Sequence, residues 1–423
     1  MPNAFSKEER VAFETLLEGF QDALVLSKAV ATFNTDSQTM ERARDTIWRP
    51  QPYIAQSFDS TVGTSIASNY DDMVQLSVPA TLGFSKTAAW KLNAKELRDA
   101  LQEGRLGDAA KQKLASDINV AVMNVAATQG TLVVATAGAA GDYDDVALCD
   151  TIMNEQGVPN YDRYLALSSR DYNGLAGNLA ASTRSFGNAK SDKAYERSYV
   201  GMVAGFETYK LDYAQRITAK AGSATIATNG AQVRFVPAST TNSVAGKLNV
   251  DNRFQQVTVS ATAGIVAGDA FTVAGIEAVN HITKLSTGQL KTFRVISVDS
   301  GTTMTISPPM IGANSSPTDA ELSYKNINVA STSATAAIVF LNQNATSINP
   351  FWQKDAIEIL PGRYAVPGDA GVAVMRAATD QGIELVMQKF YDIDTMTTKY
   401  RLDTLFGVVN KQPQMSGVLL FNQ

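Results

Sequence analysis

Residues 108–130 read DAAKQKLASDINVAVMNVAATQG. Ala110, Leu114, Ile118, Ala121 and Val125 recur at three- and four-residue steps, which places them on one face of a helix. Lys111, Gln112, Ser116, Asp117 and Asn119 fall mostly on the other face. Asp108 is positioned to cap the N-terminus and Gly130 to stop the helix. A helix of this length runs on the order of 30 Å, about the width of a small domain. Two readings stand: an ordinary amphipathic core helix, or a spine against which sheet segments from both ends of the chain pack.

Upstream, residues 91–107 (KLNAKELRDALQEGRLG) are charged and helical in propensity. Residues 43–90 have a different character. RDTIWRPQPY is extended, with Pro50 and Pro52 excluding a helix. FDSTVGTSIASNYDD is polar and poor in core residues, and DMVQLSVPATLGF alternates at Val74, Leu76 and Val78. The pattern predicts two strands joined by a long polar excursion. Loops of more than about 12–15 residues are uncommon in compact domains and often functional. A projecting hairpin cannot bury itself, so it needs a neighbour. At the N-terminus, residues 6–30 read as a helix, with Ser6 and Glu9 at capping-box spacing and a stripe of Phe13, Leu16, Leu17, Phe20 and Leu24. It is either a core helix or an arm ordered by docking on another subunit.

Downstream, DVALCDTIMNEQGVP predicts a helix ended by Gly157 and Pro159, YDRYLALSS a strand and RDYNGLAGNLA a short helix. At about residue 222 the composition shifts to Ala, Ser, Thr, Val and Gly. Short strands follow to about 345: RFQQVTVSA, with Phe254, Val257 and Val259 as buried candidates, then AFTVAGI, TFRVISV and TMTISPPMI. Turn signals at 267–269, 299–301 and 307–309 separate them, as in a compact barrel or sandwich. Mixed character returns after about 346, which marks the β-module as an insertion with its ends close together. GIELVMQKFYDI and KYRLDTLFGVV predict two extended runs around the polar turn DTMTT, and SGVLLFNQ closes the chain. These runs are expected beside the long helix, completing the sheet begun near residue 46.

With 423 residues the chain is long enough for two or three domains, and 45% hydrophobic against 18% charged residues predicts a folded core. A formal net charge of −5 argues against a protein whose main task is gripping nucleic acid. The single cysteine, Cys149, cannot close an intrachain disulfide and fits a reducing cytosol. MPNAFSKEER is too polar for a secretion signal, and no run of about 18 apolar residues spans a membrane. The sequons at Asn314 and Asn344 read as chance matches.

Little in the sequence points to chemistry. His281 is the one histidine and has no partner pattern for a triad or a metal site. Cys149 lies among Ala147, Leu148 and Ile152 and reads as a small buried hydrophobe. The acid pairs Asp71-Asp72 and Asp144-Asp145 lack companions, and a stretch such as 141–145 offers too few oxygens for a hard cation. Phosphate-loop, zinc-protease, nucleophile-elbow, paired-cysteine and dinucleotide motifs are absent. Trp48, Trp90 and Trp352 are dispersed and read as core or interface anchors. No catalytic, cofactor-binding or metal-ligating residue is assigned.

Four stretches carry a family resemblance: DTIWRP (45–50), AAKQKLASDINVAVMNVAATQGTLVV (109–134), LNVDNRFQQVTVSATAGIVAGDAFTVAGI (248–276) and NPFWQKDAIEIL (349–360). Together with the order of segments they resemble the major capsid proteins of tailed bacteriophages, and among these the P22-type coat proteins with an inserted domain. The resemblance implies an α+β fold of the HK97-like kind, with spine helix, P-domain sheet, A-domain and extended loop, plus an inserted all-β I-domain. It implies an N-terminal arm at 1–42, an extended loop with flanking strands at 43–90, and a P-domain with the spine helix at 91–135. It places the A-domain at 136–221, the I-domain at 222–345 with its D-loop at 236–250, the A-domain return at 346–380 and P-domain terminal strands at 381–423.

The same resemblance implies a non-enzymatic subunit that forms pentamers and hexamers of an icosahedral shell in the host bacterial cytoplasm. The shell assembles around a scaffolding protein, carries a portal protein at one vertex, and expands as double-stranded DNA is packaged without sequence-specific binding. No cofactor, membrane or crosslinking step is implied. Candidate subunit-interface residues are Trp48, Arg49, Tyr70, Arg105, Thr240, Thr241, Asn242 and Lys247. The family pattern carries aspartates in the D-loop and a basic run near Arg105; here Lys247 is the only charge in the loop and Arg105 stands in place of the run. Other readings are a tail or decoration protein, which the spine helix and α/β lobe disfavour, and a hydrolase built on Asp and Ser groups in that lobe, which has no motif.

Overall fold

In the computed structural model the described residues are 5, 7–33, 46–52, 55, 57, 61–63, 65–66, 70, 72–93, 96, 100–141, 143–180, 189–211, 213–220, 223–227, 232–244, 246–313, 316–329, 335–364 and 372–423. The chain divides into two compact units. Met1–Ile47, Ala80–Val125 and Ile357–Val409 form the first; Trp48–Pro79, Ala126–Ala356 and Asn410–Gln423 form the second.

The first unit is built on a helix spanning Ala100–Gln129, whose residues through Val125 belong to it. Ala110, Leu114, Ile118, Ala121 and Val125 are all buried, as their spacing predicts. The helix nevertheless begins eight residues before Asp108, which is therefore interior and not a cap. Gly104 and Gly107 weaken a helix by roughly 1 kcal/mol each relative to alanine, and without a proline they do not end it. Residues 91–93, expected to be helical, instead finish the strand Phe84–Asn93.

That strand pairs antiparallel with Thr397–Asn410, bringing Trp90 opposite Tyr400 and Phe84 opposite Phe406. Both ring pairs stack across the strands, with centroids 5.7 and 5.3 Å apart. Thr397–Asn410 also lies between Ile357–Pro361 and Glu384–Asp392, with Ala31–Thr32 and Ala373–Ala378 at the two ends of the sheet. The expected terminal hairpin is present, but its partner is Phe84–Asn93. Among the described residues, Thr46–Pro50 pairs only with Ser77–Thr81.

The N-terminal helix, Lys7–Ala23, buries Phe13, Leu16 and Phe20 within this unit. Ser6 of the expected capping box lies outside the described residues. Glu9 is drawn inward to Lys389 Nζ at 2.5 Å and Tyr400 Oη at 2.7 Å. Asn119, on the polar side of the long helix, accepts from Leu26 N–H at 3.2 Å and donates to Ala23 O at 3.1 Å.

The second unit holds a six-stranded sheet in the order Leu132–Ala135, Ser416–Leu420, Asn349–Gln353, Arg163–Ser168, Phe206–Leu211, Met202–Val203. The helices Tyr143–Glu155 and Ser169–Ala180 pack Val146, Cys149, Met153 and Leu175 onto it. The closing stretch SGVLLFNQ thus joins this lobe parallel to Leu132–Ala135 and not the sheet beside the long helix. Gly130 lets the chains come close: a Cβ there would meet Ala126 O and Gly417 N, both at 3.0 Å.

Between Ile217 and Thr346 the chain makes a second β-structure. Its strands run Ala224–Ala227, Thr335–Phe340, Ala270–Val279, Ser286–Val298, Thr303–Ser307, Gln255–Thr258. A bridge between Ile226 and Val259 joins the first strand to the far end, so the sheet closes into a barrel. Phe271, Phe293, Phe340, Val257, Val259, Met304 and Ile306 fill it. Phe254 departs from its expected place: it is only half-buried, and the Arg253 guanidinium lies over its ring. The segments leading into and out of the barrel, Arg216–Ile217 and Thr346–Ser347, pair antiparallel.

Candidate functional site

Thr240–Ser243 and Gly246–Asn249 form a two-stranded hairpin, with Thr240 opposite Asn249 and Asn242 opposite Lys247. Thr241, Asn242, Lys247 and Leu248 are exposed, and Val244 at the turn is fully exposed. An isolated hairpin is at best marginally stable in water. This one is held at its base. The buried Asn252 donates to Ala238 O at 2.9 Å and Val250 O at 3.1 Å, and accepts from Ala238 N–H at 3.1 Å. Next to it, Arg253 pairs with Asp251 at 2.7 Å and donates to Asn410 O at 2.9 Å. The root is rigid and the tip presents apolar and hydroxyl groups to solvent.

The excursion at 51–76 has the same logic. Its described tip residues Val62, Ile66, Tyr70 and Met73 are exposed, Tyr70 by 78%. Its root is fastened by Gln51 N–H on Leu76 O at 2.9 Å. Tyr324, on the short helix Asp319–Tyr324, receives Leu76 N–H at 3.3 Å and donates to Val74 O at 3.2 Å. Asp319 of that helix accepts from Asp72 N–H at 2.7 Å. Trp48 and Arg49, on the leading strand, are half-buried.

A third feature joins the barrel to the lobe. On the strand Ser286–Val298, Lys291, Thr292 and Arg294 are buried. Lys291 Nζ donates to Gln156 Oε1 at 2.9 Å and Gln414 Oε1 at 2.7 Å. Thr292 Oγ1 donates to Thr131 O at 2.8 Å, and Arg294 Nη2 to Ala127 O at 3.2 Å. Burial lowers the Lys291 pKa to about 7 and that of Arg294 to about 10, because removal from water disfavours the charged form.

Of the sequence candidates, Thr240, Thr241, Asn242 and Lys247 share the hairpin, Trp48 and Arg49 share a strand, and Tyr70 lies on the excursion. The backbone of Arg105 lies inside the long helix, not ahead of it, and its side chain is outside the described residues. Asn252, Arg253, Tyr324, Lys291 and Arg294 were not singled out by sequence. The run Asp251-Asn252-Arg253 after an extended stretch hints at the hairpin clamp; nothing local marks the others, whose partners are distant in sequence.

The groups most able to do chemistry are occupied structurally. Burial and the nearby Asp145 and Asp150 push the Cys149 thiol pKa well up, which suits a packing residue. Asp144 and Asp145 lie in the first turn of the helix Tyr143–Glu155, where acids complement the helix dipole. Among the described residues no group of three or more His, Cys, Asp or Glu is placed to hold a metal, and no helix is long and apolar enough to cross a membrane.

Comparison with known proteins gives a family match along the chain. The model of the P22 coat protein family (gene protein 5) matches residues 1–422. Among solved structures, the CUS-3 coat protein I-domain is 39% identical, covering 28% of this chain and 95% of its own, with a TM-score of 0.21. The capsid of cyanophage P-SCSP1u is 10% identical over 94% of this chain and 88% of its own, with a TM-score of 0.44. The structure from Mycobacterium phage Che8 is 10% identical over 94% and 91%, with a TM-score of 0.43.

Proposed function

The chain belongs to the P22 coat protein family, and from that premise we propose that it assembles, as pentamers and hexamers, into the icosahedral head of a tailed bacteriophage. It is a phage capsid protein of HK97-like α+β fold with an inserted I-domain, a structural subunit and not an enzyme. In the proposed cycle the subunits form a procapsid around a scaffolding protein in the host cytoplasm, with a portal protein at one vertex. The shell then expands while enclosing double-stranded DNA. A net charge of −5 suits a container that does not grip its contents.

The observation that carries this reading is the pair of firmly rooted projections whose tips have no core of their own. Such surfaces become stable when a neighbour covers them, and a closed shell repeats each contact many times. We assign the hairpin residues Thr240, Thr241, Asn242 and Lys247 to contacts between capsomers, and Trp48, Arg49 and Tyr70 to contacts made by the extended loop. Arg105 is assigned to an interface on the resemblance alone. The arm, P-domain, A-domain and I-domain follow the limits given above, with Leu132–Ala135 and Ser416–Leu420 moved into the A-domain sheet.

The test is co-expression with the scaffolding gene of its own genome, followed by electron microscopy. Uniform closed shells are expected. Small particles alone, with folded scaffold present, would overturn the assignment.

A further inference from the structure

The excursion at 51–76 is carried by a different unit from the chain that flanks it. Met1–Ile47 and Ala80–Val125 belong to the first unit, whereas Trp48–Pro79 groups with the barrel and the lobe. The cause is the short helix Asp319–Tyr324. A single isolated helix of this length is not stable in water, and the barrel holds it at both ends. At its start, Thr318 and Glu321 close a capping box, and the fully buried Glu321 is met by Arg234 Nη2 at 2.9 Å. At its end, Lys284 Nζ donates to Ser323 O at 2.6 Å. Just beyond, the buried Asn326 accepts from Ile311 N–H at 3.0 Å and donates to Pro309 O at 2.8 Å.

From this fixed helix two side chains reach the excursion. Asp319 Oδ2 accepts from Asp72 N–H at 2.7 Å. Tyr324 Oη accepts from Leu76 N–H at 3.3 Å and donates to Val74 O at 3.2 Å, so one hydroxyl grips the backbone on both sides of Gln75. The Leu76 side chain is buried and lines the same cleft as Pro309 and Ile311 of the barrel. One residue on, Ser77 bridges to Asp251 at the root of the hairpin 240–249. All of these polar contacts fall on backbone groups, which fixes where the returning strand runs whatever its tip residues are.

We propose that the inserted barrel aims the excursion before any neighbour is met, with Tyr324 and Asp319 as positioning residues, so that a second copy of the chain binds an excursion already in place. A segment that must be ordered on contact subtracts from affinity, and one held beforehand does not. The coupling runs both ways: a neighbour that covers the excursion also steadies the helix Asp319–Tyr324. The consequence for association rests on the shell-subunit reading above; the clamp itself does not.

Hydrogen exchange on the free full-length chain tests the clamp. Tyr324→Phe removes only the hydroxyl, and Asp319→Ala only the carboxylate. Each is expected to speed exchange across residues 72–76 about fivefold, the worth of one hydrogen bond, with the barrel strands unchanged. Asp319→Asn keeps an acceptor oxygen and should exchange like the native chain. Native exchange at 72–76 in Tyr324→Phe would overturn the proposal; if that variant fails to fold, Asp319→Ala against Asp319→Asn decides. Assembly with scaffold tests the consequence. The concentration at which shells first form is expected to rise about two- to fivefold in Tyr324→Phe, as the association-ready fraction falls. In native shells exchange across 319–324 should be slower than in the free chain, and in Tyr324→Phe shells this slowing should be lost. A variant with fast exchange but the native threshold and native slowing would overturn the aiming role. A native chain that forms no shells would instead overturn the shell reading, and the exchange result would still decide the clamp.

Discussion

Arg294, fully buried on a strand of the inserted barrel, donates from Nη2 to the carbonyl oxygen of Ala127, 3.2 Å away in the last turn of the long helix. The final carbonyls of a helix lack intrahelical partners and carry the negative end of its dipole. A guanidinium is suited to that position, yet its Nε and Nη1 have no partner among the described residues. Arg294→Ala, which opens a cavity and uncaps the helix, is expected to destabilise the chain by about 2–5 kcal/mol. Arg294→Met, which keeps volume and removes the buried charge, is expected to change stability by less than about 1.5 kcal/mol. Urea unfolding of the two variants measures the difference.

Lys291 predicts a pH dependence. Its pKa is lowered to about 7 in the folded chain and is about 10.4 when unfolded. Between these values the unfolded state binds the extra proton, so stability rises with pH. Below about 7 both states are protonated and the contribution is flat. The expected gain from pH 7 to 9.5 is on the order of a few kcal/mol, reinforced by Lys284, whose pKa burial lowers to about 8. Lys291→Met should lose most of this slope in unfolding curves taken at the two pH values.

The hairpin at 240–249 should matter to the assembly and not to the subunit. Its strands contain no buried residue, so a deletion within 239–246 is expected to shift unfolding of the free chain by less than about 0.5 kcal/mol. Assembled shells carrying the deletion should come apart at a lower temperature than native shells. Lys247→Glu alone is expected to have a small effect, below about 1 kcal/mol per contact. Deletion shells as heat-resistant as native ones would show that the hairpin contact is dispensable.

Asn119 predicts the behaviour of the N-terminal helix. One side chain supplies both the acceptor for Leu26 N–H and the donor for Ala23 O, closing the end of the helix Lys7–Ala23. Asn119→Ala is expected to cost about 1–3 kcal/mol, by removing the acceptor of Leu26 N–H and leaving Ala23 O with Val25 N–H alone. Hydrogen exchange should show faster amides over residues 7–29, with the lobe strands unchanged.

The parts of the fold legible in sequence were those written in local periodicity. Ala110 to Val125 gave the face of the long helix, and alternation placed Val257 and Val259 inside the barrel. The shift in composition near 222 marked the insertion. What local pattern could not show was pairing at a distance. Lys291 in a polar strand reads as a solvated residue until Gln156 and Gln414 come to meet it. Glu9 reads as a capping residue until Lys389 and Tyr400 draw it inward. The helix start at Ala100 was hidden by two glycines that look like punctuation. SGVLLFNQ has the right pattern for either sheet, and only the tight approach of Gly417 to Leu132 selects the lobe.

The barrel enters and leaves its host through one short ladder, Ile217 opposite Thr346 and Arg216 opposite Ser347. Because its sheet is closed on itself, the module, among the described residues, lends no strand to the lobe and borrows none. A genome could therefore acquire or shed it in a single recombination event, leaving two neighbouring ends to be rejoined by a tight turn. The insertion is in this sense portable. What a chain without it would have to replace is not sheet structure but the few buried side chains, Arg294 and Lys291 foremost, that now seal the end of the long helix and the floor of the lobe.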